Sequence, residues 1–411
     1  MSSEDAQPVP HRDTRAEKVL VVVGIVVLAF NLRPAAISVG PVLDEITHAL
    51  SMSDTVAGVL TTLPVLAFAG FGALAPFLAR ALGLHRVALL ALGCVVAGLV
   101  VRAITDNTVV FLLLSLLALS GMATANVLLP SMVKLHFPTR IGLMTSIYTT
   151  SLAVGLTGSS VLTVPVEHAF GSWRWGLLVW ALTAAVAALP WFGLLRHDRV
   201  PEGTPSRITL GAVGRTRLGW VMAIFFGLQS LQAYSVFGWF AQVYRDAGFS
   251  AQTAGLLLGV ITAISIPLSL WLPALAARMD DQTWLMAVLV ACYPVGYLGL
   301  IFAPVAGAWL WAIMVGIAAA VFPVVLALIS VRARTSEGTA ALSGFTQSVG
   351  YLMAAVGPLG MGVLYDLTGG WTIPLVALLV LVVPQFFFGL AVARPAYIED
   401  QLAAPAQISR G

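Results

Sequence analysis

Charge is what this chain of 411 residues has least of: 9% of it is Asp, Glu, Lys or Arg, against about 25% in soluble domains. Cysteine is nearly absent. The two present, Cys94 and Cys292, lie in long apolar runs, where a thiol acts as a small hydrophobe, which argues against a disulfide framework. No Walker-type phosphate loop, His-Glu-x-x-His or Cys-x-x-Cys occurs, so nucleotide-driven pumps and metalloenzymes lack their groups, and no metal or cofactor is expected. All 18 acidic residues fall in tails, loops or helix ends, and the six histidines are likewise peripheral. An intramembrane protease would need a Ser/Lys or Asp/Asp arrangement at depth, and neither pattern is there, so the chain is not read as an enzyme. The net charge of +3 has no basic cluster on a soluble domain behind it, which excludes nucleic acid as a partner.

What fills the chain instead is apolar sequence: 59% of it is hydrophobic, and the mean hydropathy is +0.95. Long apolar runs recur from start to finish, so the lipid bilayer is the partner of the whole chain. Twelve transmembrane helices are expected, over 18–39, 54–79, 84–103, 108–134, 141–165, 173–195, 218–244, 251–276, 283–303, 307–331, 338–365 and 372–393. A polar tail, 1–17, precedes the first, and no small-x-small site follows it, which argues against a cleaved signal. That tail and the stretch 394–411 are expected to be disordered. With both termini in the cytoplasm, seventeen of the 21 Lys and Arg lie in inside segments, while Arg102, Arg174 and Arg245 lie outside. The excess of inside charge favours this orientation in a plasma (inner) membrane.

The chain repeats itself. Ser53-x-x-x-Ala57-Gly58 matches Ser250-x-x-x-Ala254-Gly255 at an offset of 197, and Arg80/Arg278, Cys94/Cys292 and Gly171-x-Trp173/Gly369-x-Trp371 match at 198. Four matches in order argue for duplication. The expected organisation is a tail (1–17), a six-helix bundle (18–195), a cytoplasmic linker (196–217), a second six-helix bundle (218–393) and a tail (394–411). The fold class is all-α, two pseudo-symmetric bundles in a monomer.

Several stretches together resemble the cyanate-permease branch of the major facilitator superfamily, which includes 2-nitroimidazole transporters. They are Asn31-Leu32-Arg33-Pro34-Ala35, Ser38-Val39-Gly40-Pro41, Thr61-Thr62-Leu63-Pro64-Val65, Asn126-Val127-Leu128-Leu129-Pro130, Phe137-Pro138-x-Arg140-x-Gly142-Leu143-Met144-Thr145, Phe322-Pro323 and Gln347-Ser348-Val349-Gly350-Tyr351. The resemblance implies a secondary transporter for a small solute, bound near the midplane where the halves meet. It also implies gating loops at Arg80, Arg86 and Arg278, although Ala79 stands where an acidic residue is usual.

One charge does not fit the apolar pattern. At ~1.5 Å of rise per residue, Arg33 lies roughly 20 Å in from Lys18, beyond the middle of a ~30 Å hydrocarbon core. Pro34 follows it and frees the carbonyl of Phe30. With no carboxylate at that depth, the expected partner of Arg33 is an anionic or electron-rich solute; bracing of freed carbonyls is the competing structural reading. Asn31, Gln229, Gln232, Trp239, Gln347, Tyr351, Tyr148 and Asn126 are the neutral candidates for the same site, with interhelical hydrogen bonds as their structural alternative. The expectation is a small polar, anionic solute (cyanate-like, a small carboxylate or an inorganic anion) moved by alternating access. Export of a neutral nitro-heteroaromatic and a transporter-like membrane sensor are the alternatives. Without a titratable group at depth, the coupling expected is uniport, exchange, or symport of a proton carried by the solute.

Overall fold

The computed structural model describes residues 15–52, 54–195 and 208–403. The expected linker lies outside the described residues over 196–207, as do tail residues 1–14 and 404–411. Twelve helical segments are long and apolar enough to cross a bilayer. They are α1 (Lys18–Val42), α2 (Asp54–Leu82), α3 (Leu84–Ile104), α4 (Thr108–His136), α5 (Ile141–Phe170), α6 (Trp173–Leu194), α7 (Arg217–Asp246), α8 (Ala251–Arg278), α9 (Thr283–Phe302), α10 (Ala308–Val331), α11 (Ser336–Thr368) and α12 (Thr372–Ala393).

Apolar runs of this length leave the backbone no alternative to helix in lipid, and hydroxyls and amides start several of them. Asn107 accepts from the Val110 amide, Thr216 from Gly219, Ser250 from Thr253 and Thr335 from Gly338, opening α4, α7, α8 and α11. Gly171 and Gly369, paired by the internal repeat, end α5 and α11 in the left-handed conformation, at φ +68° and +67°. Only a residue without Cβ takes that backbone freely.

Three of the central helices are interrupted, α10 at Ala320 between Ala308–Ala319 and Val321–Val331. α1 is helical to Phe30, turns through Asn31–Arg33, resumes over Pro34–Ile37 and tightens to a 3₁₀ turn at Gly40–Val42. α11 divides at Ala355 into Ser336–Ala354 and Val356–Thr368.

The two halves meet at one end. Call the end holding the α2–α3 and α8–α9 connections the tail side, since residues 394–403 also lie there. Near it, Ser343 Oγ donates to Val127 O (2.8 Å), Ser131 Oγ to Ser336 O (2.7 Å) and Ser330 Oγ to Pro130 O (3.3 Å). A Cβ added to Gly142 of α5 would lie 2.7 Å from Ala274 Cα of α8, so these backbones touch. Small residues and hydroxyls close the seam because lipid supplies no hydrophobic drive between helices. Toward the far side the halves separate. The outer piece of α11 packs on α7, α12 and its own inner piece, and the outer pieces of α1 pack on α4 and α5.

The stretch after Arg394 is not disordered as far as residue 403. Ile398–Ala403 forms a helix, α13, docked on the tail side. Ile398 is fully buried and its amide donates to Arg332 O (2.9 Å). Glu399 Oε1 accepts from the Arg334 and Thr335 amides (2.9 and 3.1 Å), and Gln401 Oε1 from the Leu218 amide (3.0 Å). The carboxylate and amide thus satisfy donors that helix starts leave open. The Arg334 guanidinium beside Asp400 holds that carboxyl below the usual range.

Candidate functional site

The separation of the halves leaves a cavity of about 720 Å³. Its walls come from α1, α2, α4 and α5 with Arg102 of α3 on one side and α7, α8, α10 and α11 on the other, and Arg33 is one of the lining residues. No Asp, Glu, Lys or His lines it among the described residues.

The break in α1 sets the position of Arg33. Pro34 cannot bond Phe30 O, and Gly155 of α5 presses against that freed carbonyl: an added Cβ would lie 1.9 Å from the oxygen. Asn31 ties the turn to α6, with its Nδ2 donating to Val27 O (2.8 Å) and Thr183 O (3.3 Å) while Thr183 Oγ1 donates to Asn31 Oδ1 (2.7 Å). The guanidinium emerges between the rings of Phe68 and Phe322, one from each half, each 5.8 Å from its Cζ. Such faces attract a cation without neutralising it. Its Nε is buried and has no hydrogen-bond partner, and no carboxylate pairs with it among the described residues. Tyr351 lies tilted on Phe68 (4.5 Å) and meets Phe226 (5.1 Å) and Tyr234 (6.2 Å) edge-on. Tyr234 and Tyr351 line the cavity with their hydroxyls beside the Arg33 guanidinium. Trp239 also lines it, fixed by its Nε1 donating to Pro358 O (2.8 Å).

The other candidates face elsewhere. Gln229 and Gln232 do share a face of α7, but it points into their own bundle. Gln229 Nε2 donates to the Tyr293 hydroxyl (3.2 Å) and its Oε1 accepts from Gln385 (2.6 Å). Gln232 Nε2 donates to Leu378 O (3.0 Å) and its Oε1 accepts from the Tyr297 hydroxyl (2.8 Å). Both are fully buried, the interhelical bonding that amides make in a membrane. Asn126 and Gln347 bond each other across the seam (2.6 Å), and Gln347 also donates to Ser343 Oγ (2.8 Å). Neither lines the cavity, and neither do Asn31 or the buried Tyr148. Of the loop arginines, Arg80 donates to Ile208 O (3.0 Å), Arg278 is exposed, and Arg86 lies at the start of α3.

Sequence reasoning missed the aromatic pair Phe68 and Phe322, Tyr234, and one cation. Arg102, read from its place near a helix end as an outside charge, is 0% exposed and borders the cavity. Its signal was faint: Ala103 and Ile104 continue the apolar run past it, and the loop starts only at Thr105.

Comparison with known proteins agrees with this architecture. The family profile described as Major Facilitator Superfamily matches residues 20–358. An uncharacterized transporter, YycB, of Bacillus subtilis (strain 168) is 36% identical over 95% of this chain and 97% of its own. The 2-nitroimidazole transporter of Escherichia coli (strain K12) is 32% identical over 92% and 96%, and the cyanate transport protein CynX of the same organism 29% over 84% and 90%. Among solved structures, the proton:xylose symporter XylE bound to 6-bromo-6-deoxy-D-glucose superposes with a TM-score of 0.73 at 12% identity, covering 94% of this chain and 98% of that one.

Proposed function

Because the chain belongs to the major facilitator superfamily and is a transporter of a small solute, we propose that its solute is a small organic molecule with a flat apolar body and an anionic or nitro acceptor group. The observation that carries this reading is Arg33, a guanidinium with a free donor in a cavity walled by Phe68, Phe322, Tyr234, Tyr351 and Trp239. The acceptor meets Arg33, and the flat body meets the rings. A volume of about 720 Å³ falls in the range, roughly 300–1,000 Å³, of sites that hold drug-sized ligands, and exceeds what a three-atom anion fills. The 2-nitroimidazole relative supports the flat body, and the cyanate relative supports the acceptor. With the tail side in the cytoplasm of a plasma membrane, as the Lys and Arg distribution favours, this conformation opens outward, and rocking of the halves about Arg33 exposes the cavity to the other side.

Counterflow of labelled benzoate and 2-nitroimidazole in proteoliposomes tests the reading. Arg33→Ala and Arg33→Lys each remove the planar fork, and a lost hydrogen bond to a charged group is worth about 1.5–3 kcal/mol, or roughly 10–100-fold in affinity. Both variants are expected to lose counterflow by that order. Wild-type rates in both variants would overturn the assignment of Arg33, and absence of wild-type counterflow would overturn the solute class.

A further inference from the structure

The buried Arg102 guanidinium is surplus to the structural work it does. Arg102 lies in the last turn of α3, toward the far side. Its Nη1 donates to Ala35 O (3.1 Å) and, more weakly, to Ser115 Oγ (3.4 Å), and its Cζ stands 6.0 Å from the Phe111 ring. Ala35 is in the short helical piece after the α1 break, so Nη1 braces that piece against α3. A neutral amide could donate that bond. The charge, the Nε and the Nη2 have no such employment: both nitrogens are buried without a partner, and no carboxylate pairs with them among the described residues.

Its placement is unusual too. α3, α6, α9 and α12 contribute nothing else to the cavity lining, so Arg102 is the one outer-ring side chain, among the described residues, that reaches the solute space. The carbonyl it holds belongs to a residue two beyond Arg33. Two guanidiniums therefore border one apolar cavity with no protein anion between them among the described residues, each desolvated by its burial. An anion arriving in the cavity relieves both.

We propose that Arg102 is a second anion-binding group, an outer station that holds the oxyanion head of an incoming solute through Nε and Nη2 before Arg33 takes it. This rests on the reading of Arg33 above and adds to it that the solute is charged. Charge-assisted bonds to a carboxylate use such donors.

Benzoate and benzamide have the same shape and differ in charge, so titrating each into the purified full-length protein separates charge recognition from packing. Arg102→Gln keeps a donor for Ala35 O and removes the cation, and Arg102→Lys keeps the cation. In Arg102→Gln, benzoate affinity is expected to fall about tenfold or more, with benzamide affinity within about twofold of wild type, and Arg102→Lys is expected to restore most of the loss. Equal weakening of both ligands would show a bracing residue only and overturn the proposal. Unchanged benzoate binding in Arg102→Gln, alongside its loss in Arg33→Gln, would overturn the outer station and leave the central one standing. Absence of benzoate binding to wild type would overturn both.

Discussion

A buried side chain in this protein is defined by where its last hydrogen bond goes. Gln229 and Gln232 make every bond inside the second bundle, whereas Arg33 and Arg102 keep nitrogens unpartnered at the cavity. Asn126 and Gln347 stand between these cases, since their 2.6 Å bond joins one half to the other beneath the cavity. Such a bond forms only while the tail side is closed, so it acts as a latch. A double-mutant cycle with Asn126→Ala and Gln347→Ala, read as thermal or denaturant stability in detergent, should give a coupling of about 0.5–1.5 kcal/mol. A coupling near zero would remove the latch. Helical period groups Gln229, Gln232 and Trp239 on one face of α7, but it carries no record of which neighbour a face meets: the two amides turn into their bundle while Trp239 lines the cavity. Tyr293 and Tyr297, four apart on α9, fill the position expected for solute.

Among elements, the interruptions were the most legible part and their surroundings the least. Pro34 announced the break in α1, since the loss of its N–H is a local fact, and the long apolar runs announced twelve helices for the same reason. That Gly155 would abut Phe30 O and Arg102 would brace Ala35 are consequences of packing between segments far apart in sequence. The docked α13 was illegible likewise: a polar tail reads as disordered until Arg332, Thr335 and Leu218 offer it partners. The crossing of α5 on α8 is close enough to be tested by one methyl group. Gly142→Ala would push Cβ to 2.7 Å from Ala274 Cα, a backbone atom with nowhere to yield. Overpacking costs about 1–3 kcal/mol, comparable with the few kcal/mol that separate two conformers of a switching protein. The variant should move toward the state with its tail side open. With Cys94 and Cys292 replaced and Ser265→Cys placed in the cavity wall, labelling from the far side by an impermeant maleimide is expected to slow about tenfold. An unchanged rate would show that this contact does not hold the gate.

The whole molecule is a pair of bundles that meet around Arg33, a charge no carboxylate offsets among the described residues. Phe68 and Phe322 shield Arg33 with ring faces, which attract it yet carry no charge of their own. In the proposed rocking of the halves, the membrane field shifts from one side of that charge to the other. An empty carrier then moves the Arg33 charge through the field, at up to about 2.3 kcal/mol per 100 mV, whereas a monovalent anion seated on Arg33 cancels that charge. Voltage should therefore act on the return of the empty protein and leave one-for-one exchange alone. In proteoliposomes clamped with potassium and valinomycin, net benzoate flux is expected to change with potential while benzoate exchange stays level. Exchange that responded to voltage as strongly as net flux would mean that the solute crosses without cancelling Arg33. In the proposed cycle, the arginine that costs the fold a buried charge thus makes the unloaded half the electrogenic one.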